Sequence, residues 1–220
     1  MTRPRGILFD LNGVLVDDEP QHCAALISTL AENGLTLDTP TYYREYLGHD
    51  DRDCFIRAWH GAGRTLTDTL LKLLVKQKSD LYQGSLRNAL TLVPGAQAFV
   101  QVAAAEGMTL GVVSGALRRE VEQVLEVADL RRHFGIVVAA EDVASCKPDP
   151  EGYRKGLAAL RLPAGDVMVI EDSLPGLAAA RAAGLRCAML TTSHPRATLS
   201  DADAVWGDLA GRSPAELPWN

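Results

Sequence analysis

In this chain of 220 residues, Asp10, Ser114, Lys147 and the pair Glu171-Asp172 each stand at or just beyond the end of a short apolar run. Each has an ordinary explanation when taken alone: a turn or helix-cap aspartate, an N-cap serine, a loop lysine beside Pro148, a solvated acidic pair. Their order along the chain, one group after each of four such runs, argues instead for a shared site. Carboxylates brought side by side repel one another unless a cation joins them. The chemistry to expect is therefore that of a cation-assisted carboxylate.

The elements that must carry these groups follow from the apolar patterning. Gly6-Ile7-Leu8-Phe9 reads as a buried strand ending at Asp10, with a turn at Gly13. From residue 20 to about 90 the pattern is helical: Cys23, Leu26, Ile27 and Leu30 share one face, and Asn33-Gly34 marks a stop. Further helices are expected over 40–47, 52–59 and 67–82, with no strand in this stretch. After Val93-Pro94-Gly95 helices and strands alternate: helix 97–106, strand 109–113, helix 117–127, strand 135–139, helix 150–160, strand 167–170, helix 175–183, strand 186–190. Such alternation predicts an α/β fold, a Rossmann-like parallel sheet with helices on both faces. The first strand must join that sheet, so residues 1–16 and 91–220 form the expected core and 17–90 a small all-helical cap inserted after the first strand. In open sheets of this kind ligands bind beyond the carboxyl ends of the strands, where the four groups stand. Leu66, Leu70, Leu73 and Leu74 have the spacing of a core-facing helix stripe, Trp59, Trp206 and Trp219 are scattered, and residues 211–220 read as a surface extension.

Composition bounds the alternatives. With 47% hydrophobic, 23% charged and 5% aromatic residues, the chain falls in the ordinary globular range. A net charge of −6 and a pI near 5.4 disfavour a nucleic-acid partner, which needs clustered Lys and Arg. The apolar stretches are too short or too interrupted to span a bilayer, and the first residues lack a signal-peptide pattern, so a cytoplasmic monomer is expected. Cys23, Cys54, Cys146 and Cys187 are widely spaced, without zinc-ligand spacing, and read as reduced fillers.

The four segments FDLNGVLVDDEP (9–20), VVSG (112–115), CKPDPEGY (146–153) and VIEDSLPGLAAARAAG (169–184) resemble the motifs of the haloacid dehalogenase superfamily, in its helical-capped subgroup. The resemblance spans essentially the whole chain. It implies a Mg2+-dependent phosphatase acting on a small phosphorylated metabolite, with Asp10 as nucleophile forming an aspartyl-phosphate. It implies metal ligation by the Asp10 and Asp172 side chains and the backbone carbonyl of Asn12, with Glu171 acting through a water. It further implies that Ser114, with the backbone N–H groups of Gly115 and Ala116 opening the next helix, holds the phosphoryl oxygens, and that Lys147 offsets their charge.

One position departs from the pattern. The superfamily's usual first motif has a second aspartate two residues after the nucleophile, which protonates the leaving group and later deprotonates water. Asn12 can do neither. Three readings stay open: an atypical or weak phosphatase, an engineered substitution that slows turnover, and a phosphate-binding pseudoenzyme. A phosphosugar mutase and a metal-free dehalogenase are rivals, the latter opposed by the Glu171-Asp172 pair. In the cap, His22, the Gly48 loop and Arg52 occupy places where capped relatives face substrate. His22 reads equally as a hinge hydrogen-bonding group and Arg52 as a solvated charge. Glu19 is expected to shape the hinge, while Asp17 and Asp18 read as turn residues.

Overall fold

The computed structural model describes residues 5–218, less the side chains of residues 86–89. Six strands form one wholly parallel sheet: β1 (Gly6–Phe9), β2 (Thr109–Val113), β3 (Phe134–Val138), β4 (Val167–Glu171), β5 (Arg186–Leu190) and β6 (Ala204–Trp206), in the order β3-β2-β1-β4-β5-β6. The order reverses at β1, so the ends of β1 and β4 border the crevice where ligands bind in doubly wound sheets. Alternation within β1 sorts its side chains between two cores. Ile7 and Phe9 join one apolar cluster with Leu110, Val112 and Phe134, while Leu8 joins the opposite one with Val113, Val167 and Val169. Phe9 is clasped edge-on by Phe99 and Phe134, with centroids at 6.2 and 5.7 Å, which holds the strand end that leads into Asp10.

Four helices follow β1 and precede the first crossover helix: α1 (Glu19–Glu32), α2 (Thr39–Glu45), α3 (Asp51–Gly61) and α4 (Asp68–Ala89). Their starts are encoded locally. Asp38, Asp50 and Thr67 accept N–H bonds from Thr41, Asp53 and Leu70 at 2.7, 3.0 and 3.2 Å. Among them Cys23, Leu26, Leu30, Phe55, Trp59 and Leu74 form a third cluster, separate from the two that flank the sheet. Leu73 is not part of it: it is 59% exposed, and Leu71 is buried instead, because the stripe turns with the 3.6-residue period. The remaining helices, α5 (Ala96–Ala105), α6 (Arg118–Val127), α7 (Glu151–Leu160) and α8 (Leu174–Ala182), are the crossovers of the sheet. All four cysteines are free thiols, and no helix among the described residues is long and apolar enough to cross a membrane.

Two features differ from the sequence expectation. A sixth strand, β6, pairs with β5 through only three residues, Ala204, Val205 and Trp206, too few to show a period. The segment read as a surface extension also packs inward: Pro214 is buried and Leu217 joins the same core cluster as Phe9, while Pro218 O accepts a bond from Arg186 at 2.8 Å. Trp219 lies outside the described residues. Leu217→Ala is therefore expected to lower unfolding free energy by about 2–4 kcal/mol, the usual cost of emptying a buried leucine site. A urea midpoint equal to that of the parent chain would contradict this packing.

Candidate functional site

The site is built on the last residues of β1 and β4. Asp10 continues the β1 ladder, donating its N–H to Ile170 O at 2.9 Å, and then the chain turns sharply, with Gly13 N–H bonded to Val16 O at 2.7 Å. Gly13 has φ +73°, and a Cβ there would meet Asp172 Oδ2 at 1.9 Å. Only glycine fits both the left-handed turn and the carboxylate pressed against it. Gly176, in the first turn of α8, plays a matching part at β4: a Cβ there would collide with Glu171 at 1.8 Å.

Asp10, Glu171 and Asp172 are all buried, and each places a carboxylate oxygen within 4.8 Å of the others. Lys147 bridges two of them, with Nζ at 2.5 Å from Asp10 Oδ1 and 2.6 Å from Glu171 Oε1. Glu171 also accepts from Tyr153 Oη at 2.9 Å, from the Asp172 and Ser173 N–H groups at 2.9 and 3.0 Å, and from Ser173 Oγ at 3.1 Å. Burial alone would raise the Glu171 pKa, but Lys147 and these backbone donors outweigh it and hold the carboxyl below its ordinary value. Its partners make it the fixed anchor of Lys147. The other two acids are less well compensated. Burial pushes Asp10 up to about 7 despite Lys147, and burial followed by the charges of Glu171 and Asp10 pushes Asp172 well up. An oxygen-only donor set short of positive charge is what a hard divalent cation requires, so these residues fit one.

Asp172 is oriented by Ser193 Oγ, which donates to its Oδ2. Thr192 Oγ1 lies 3.4 Å from that same oxygen and donates to Gly13 O at 2.6 Å. The sequence reading did not single out Thr192, Ser193 or Tyr153. Thr192 and Ser193 follow β5 just as Ser114 follows β2, so the strand-end rule applied once more would have found them; Tyr153 carries no such signal.

Beyond β2, Gly115 and Ala116 line the cavity above Asp10, while the buried Ser114 Oγ accepts the Ala116 N–H at 3.1 Å. Residues 115 and 116 precede α6, which begins at Arg118, and so lie in the loop ahead of the helix rather than in its first turn. On the helical side His22, Gly48, Glu19, Asp51 and Lys78 line the same cavity. Arg52 does not: it is exposed and outside the lining, since α3 turns its side chain away from its lining neighbours Asp50 and Asp51. The helices meet the sheet side closely. A Cβ on Gly48 would sit 3.4 Å from Ser173 Cβ, Ser79 Oγ donates to buried Glu120, and Arg119 pairs with Asp80 at 3.2 Å.

Asn12 is held by a part-buried network. Its Nδ2 lies 3.0 and 2.9 Å from the two Asp18 oxygens and 3.0 Å from His22 Nε2. Asp18 also accepts from Tyr82 Oη, over whose ring His22 stacks at 4.0 Å, and Lys78 Nζ meets His22 Nδ1. Asn12 Nδ2 and Tyr82 Oη aim donors at Asp18, and His22 Nε2 lies 3.6 Å from Asp18 Oδ2. Asp18 is thus no turn residue but a fully buried carboxylate; nothing in its local sequence signals this, because Tyr82 arrives from 64 positions away. Burial would raise its pKa, and the donors of His22, Tyr82 and Asn12 together lower it. A carboxyl with a depressed folded pKa stabilises the fold above its unfolded pKa of about 3.9, and that contribution is lost as pH falls through the folded value. Asp18→Asn is expected to cost about 1.5–3 kcal/mol at pH 7, the range for bonds to a charged acceptor. The gap from the parent chain should close as denaturation is repeated below pH 4; a gap that is constant with pH would contradict the assignment.

Residues 7–190 match the sequence profile of the haloacid dehalogenase-like hydrolases. The chain is 28% identical over 206 residues to a phosphoglycolate phosphatase of Yersinia pestis, covering 89% of each, and 29% identical over 223 residues to protein CbbY of Rhodobacter capsulatus, covering 97% of each. Among solved structures, a CbbY variant from Rhodobacter sphaeroides in complex with xylulose-(1,5)bisphosphate superposes with a TM-score of 0.89 at 26% identity, over 97% of this chain and 99% of that one. With the profile running from β1 through β5 and the acidic groups standing at the sheet's switch point, the chain belongs to the haloacid dehalogenase-like hydrolase family and is an enzyme of it.

Proposed function

We propose that the protein is a Mg2+-dependent phosphomonoester hydrolase that works through an aspartyl-phosphate on Asp10, with residues 17–90 serving as the cap over a small phosphorylated metabolite. The observation that carries this reading is the trio Asp10, Glu171 and Asp172, buried within 4.8 Å of one another with Lys147 bridging Asp10 and Glu171. The similarity to a phosphoglycolate phosphatase supports it. Asp10, Asp172 and the Asn12 carbonyl would hold the magnesium ion, which when bound would supply the positive charge that lets an anionic ester approach a carboxylate.

Asp10 is the group placed to attack phosphorus: its oxygen forms the new P–O bond while the ester P–O bond breaks, and water later cleaves the acyl phosphate. Lys147, anchored by Glu171, carries the charge that follows the phosphoryl oxygens, and Gly115 and Ala116 line the same space. Asn12 can hydrogen-bond but not exchange a proton, so the leaving oxygen takes its proton from solvent. Esters with good leaving groups should therefore react best.

Restoring an acid at position 12 is not a simple repair. Asn12→Asp would set a carboxylate about 3 Å from Asp18, and two buried carboxylates at that distance cannot both ionise. With an alkyl phosphate and Mg2+, Asn12→Asp alone is expected to raise kcat less than about tenfold, whereas Asn12→Asp with Asp18→Asn should raise it by ~10²–10⁴, the usual worth of general acid–base catalysis. Asp10→Asn should abolish turnover and the mass increment of a trapped phosphoryl group. Undiminished aryl phosphatase activity in Asp10→Asn would overturn the proposed function.

A further inference from the structure

We propose that the cavity selects phosphomonoesters whose remaining part is uncharged or cationic and rich in hydrogen-bond donors, a polyol or an amino sugar, and that it discriminates against a second phosphate or a carboxylate. This rests on the proposed function, since it takes the phosphoryl group to sit against Asp10 and Lys147. The rest of the substrate must then extend toward the helical side of the same cavity.

That side is anionic. Glu19, Asp50 and Asp51 line it from the helices and Glu120 from α6. Among the described residues the lining holds two lysines and no arginine, and both lysines are engaged. Lys147 is shared between Asp10 and Glu171. Lys78 is 1% exposed, paired with Asp51 at 2.7 Å and pressed against His22, so its charge is spent inside the wall. Arg52, the nearest further cation in sequence, is outside the lining. A second anionic group on the substrate would therefore give up its hydration to face carboxylates with no lysine or arginine of the described lining left to meet it.

The same wall suits donors. Carboxylates only accept, and each offers about four lone-pair sites. Glu19 uses one on Tyr42 Oη at 2.5 Å, Asp50 accepts from the Asp53 N–H at 3.0 Å and also from the Arg52 N–H and Cys146, Asp51 uses one on Lys78, and Glu120 is met by Ser79 and by the Leu117 N–H at 3.2 Å. Acceptor capacity remains for hydroxyl or ammonium hydrogens. Glu19 and Asp51 are held by Tyr42 and Lys78, so the acceptors are fixed before a ligand arrives.

The test uses matched esters with Mg2+: glucose 6-phosphate, glucosamine 6-phosphate, 6-phosphogluconate and glucose 1,6-bisphosphate, with glycerol 3-phosphate against 3-phosphoglycerate as a smaller pair. The neutral and amino esters are expected to exceed their anionic counterparts at least tenfold in kcat/KM. A faster amino ester would point to ammonium recognition and equal rates to hydroxyl recognition, both supporting the proposal. Asp51→Asn, which releases Lys78, should narrow the ratio about tenfold, and Glu19→Gln, which leaves Lys78 paired, gives a second reading should Asp51→Asn fail to fold. Equal or faster turnover of the anionic esters by the parent chain would overturn the inference while leaving the phosphatase reading intact. Should even p-nitrophenyl phosphate resist hydrolysis, the phosphatase reading fails. Calorimetric affinities of the same esters for Asp10→Asn then decide the selectivity, weaker binding of neutral than of anionic esters counting against it.

Discussion

Three carboxylates, from Asp10, Glu171 and Asp172, lie buried within 4.8 Å of one another at the carboxyl ends of two adjacent strands, and most of the molecule's local peculiarities serve to keep them there. Such a cluster is costly in a low-dielectric interior unless positive charge and hydrogen-bond donors surround it. Lys147 supplies one charge, the turn leading into α8 supplies backbone donors to Glu171, and the segment after β5 supplies hydroxyls to Asp172. Gly13 and Gly176 are the spaces into which the carboxylates fit. The deficit that remains, visible in the raised Asp10 and Asp172, is the opening for a divalent cation.

A second buried carboxylate, Asp18, ties this site to the helices. It gathers Asn12, Tyr82 and His22, and through His22 it reaches Lys78 and Asp51. Position 12 is thereby part of an electrostatic arrangement and not an isolated lapse from a motif. An amide there donates to Asp18, whereas a carboxylate would oppose it. The departure read from one residue is better understood as a property of a pair, and the same network spends the one buried lysine of the helical wall on Asp51 instead of on a ligand.

Much of the architecture was legible because periodicity reports burial directly. The runs 6–9, 109–113 and 186–190 coincide with strands, and the alternation of helices and strands implied the parallel sheet that is observed. What escaped were elements whose stability is not local. β6 has three residues and forms only because β5 offers an edge, and residues 214–217 dock through Leu217, which joins the first core cluster. The Leu73 expectation failed for a related reason: four leucines share a stripe, but which of them faces the bundle depends on the partner helix.

For the site, residue types and strand-end positions were enough to nominate Asp10, Lys147, Glu171 and Asp172, because groups that follow parallel strands must converge at one edge of a sheet. Ser193, the partner of Asp172 beyond β5, could have been nominated in the same way, but Tyr153, Asp18 and Tyr82 could not. Whether Asp18 is a turn residue or a buried acceptor depends on Tyr82 and Lys78, which reach it and its neighbour His22 from α4. Whether Arg52 or Asp51 faces the cavity depends on the rotation of α3 against its neighbours. Sequence patterning determined which chemistry the chain carries, since that follows from residue type and local period. Tertiary structure alone decided the charge each group meets, since side chains distant in sequence become neighbours only on folding.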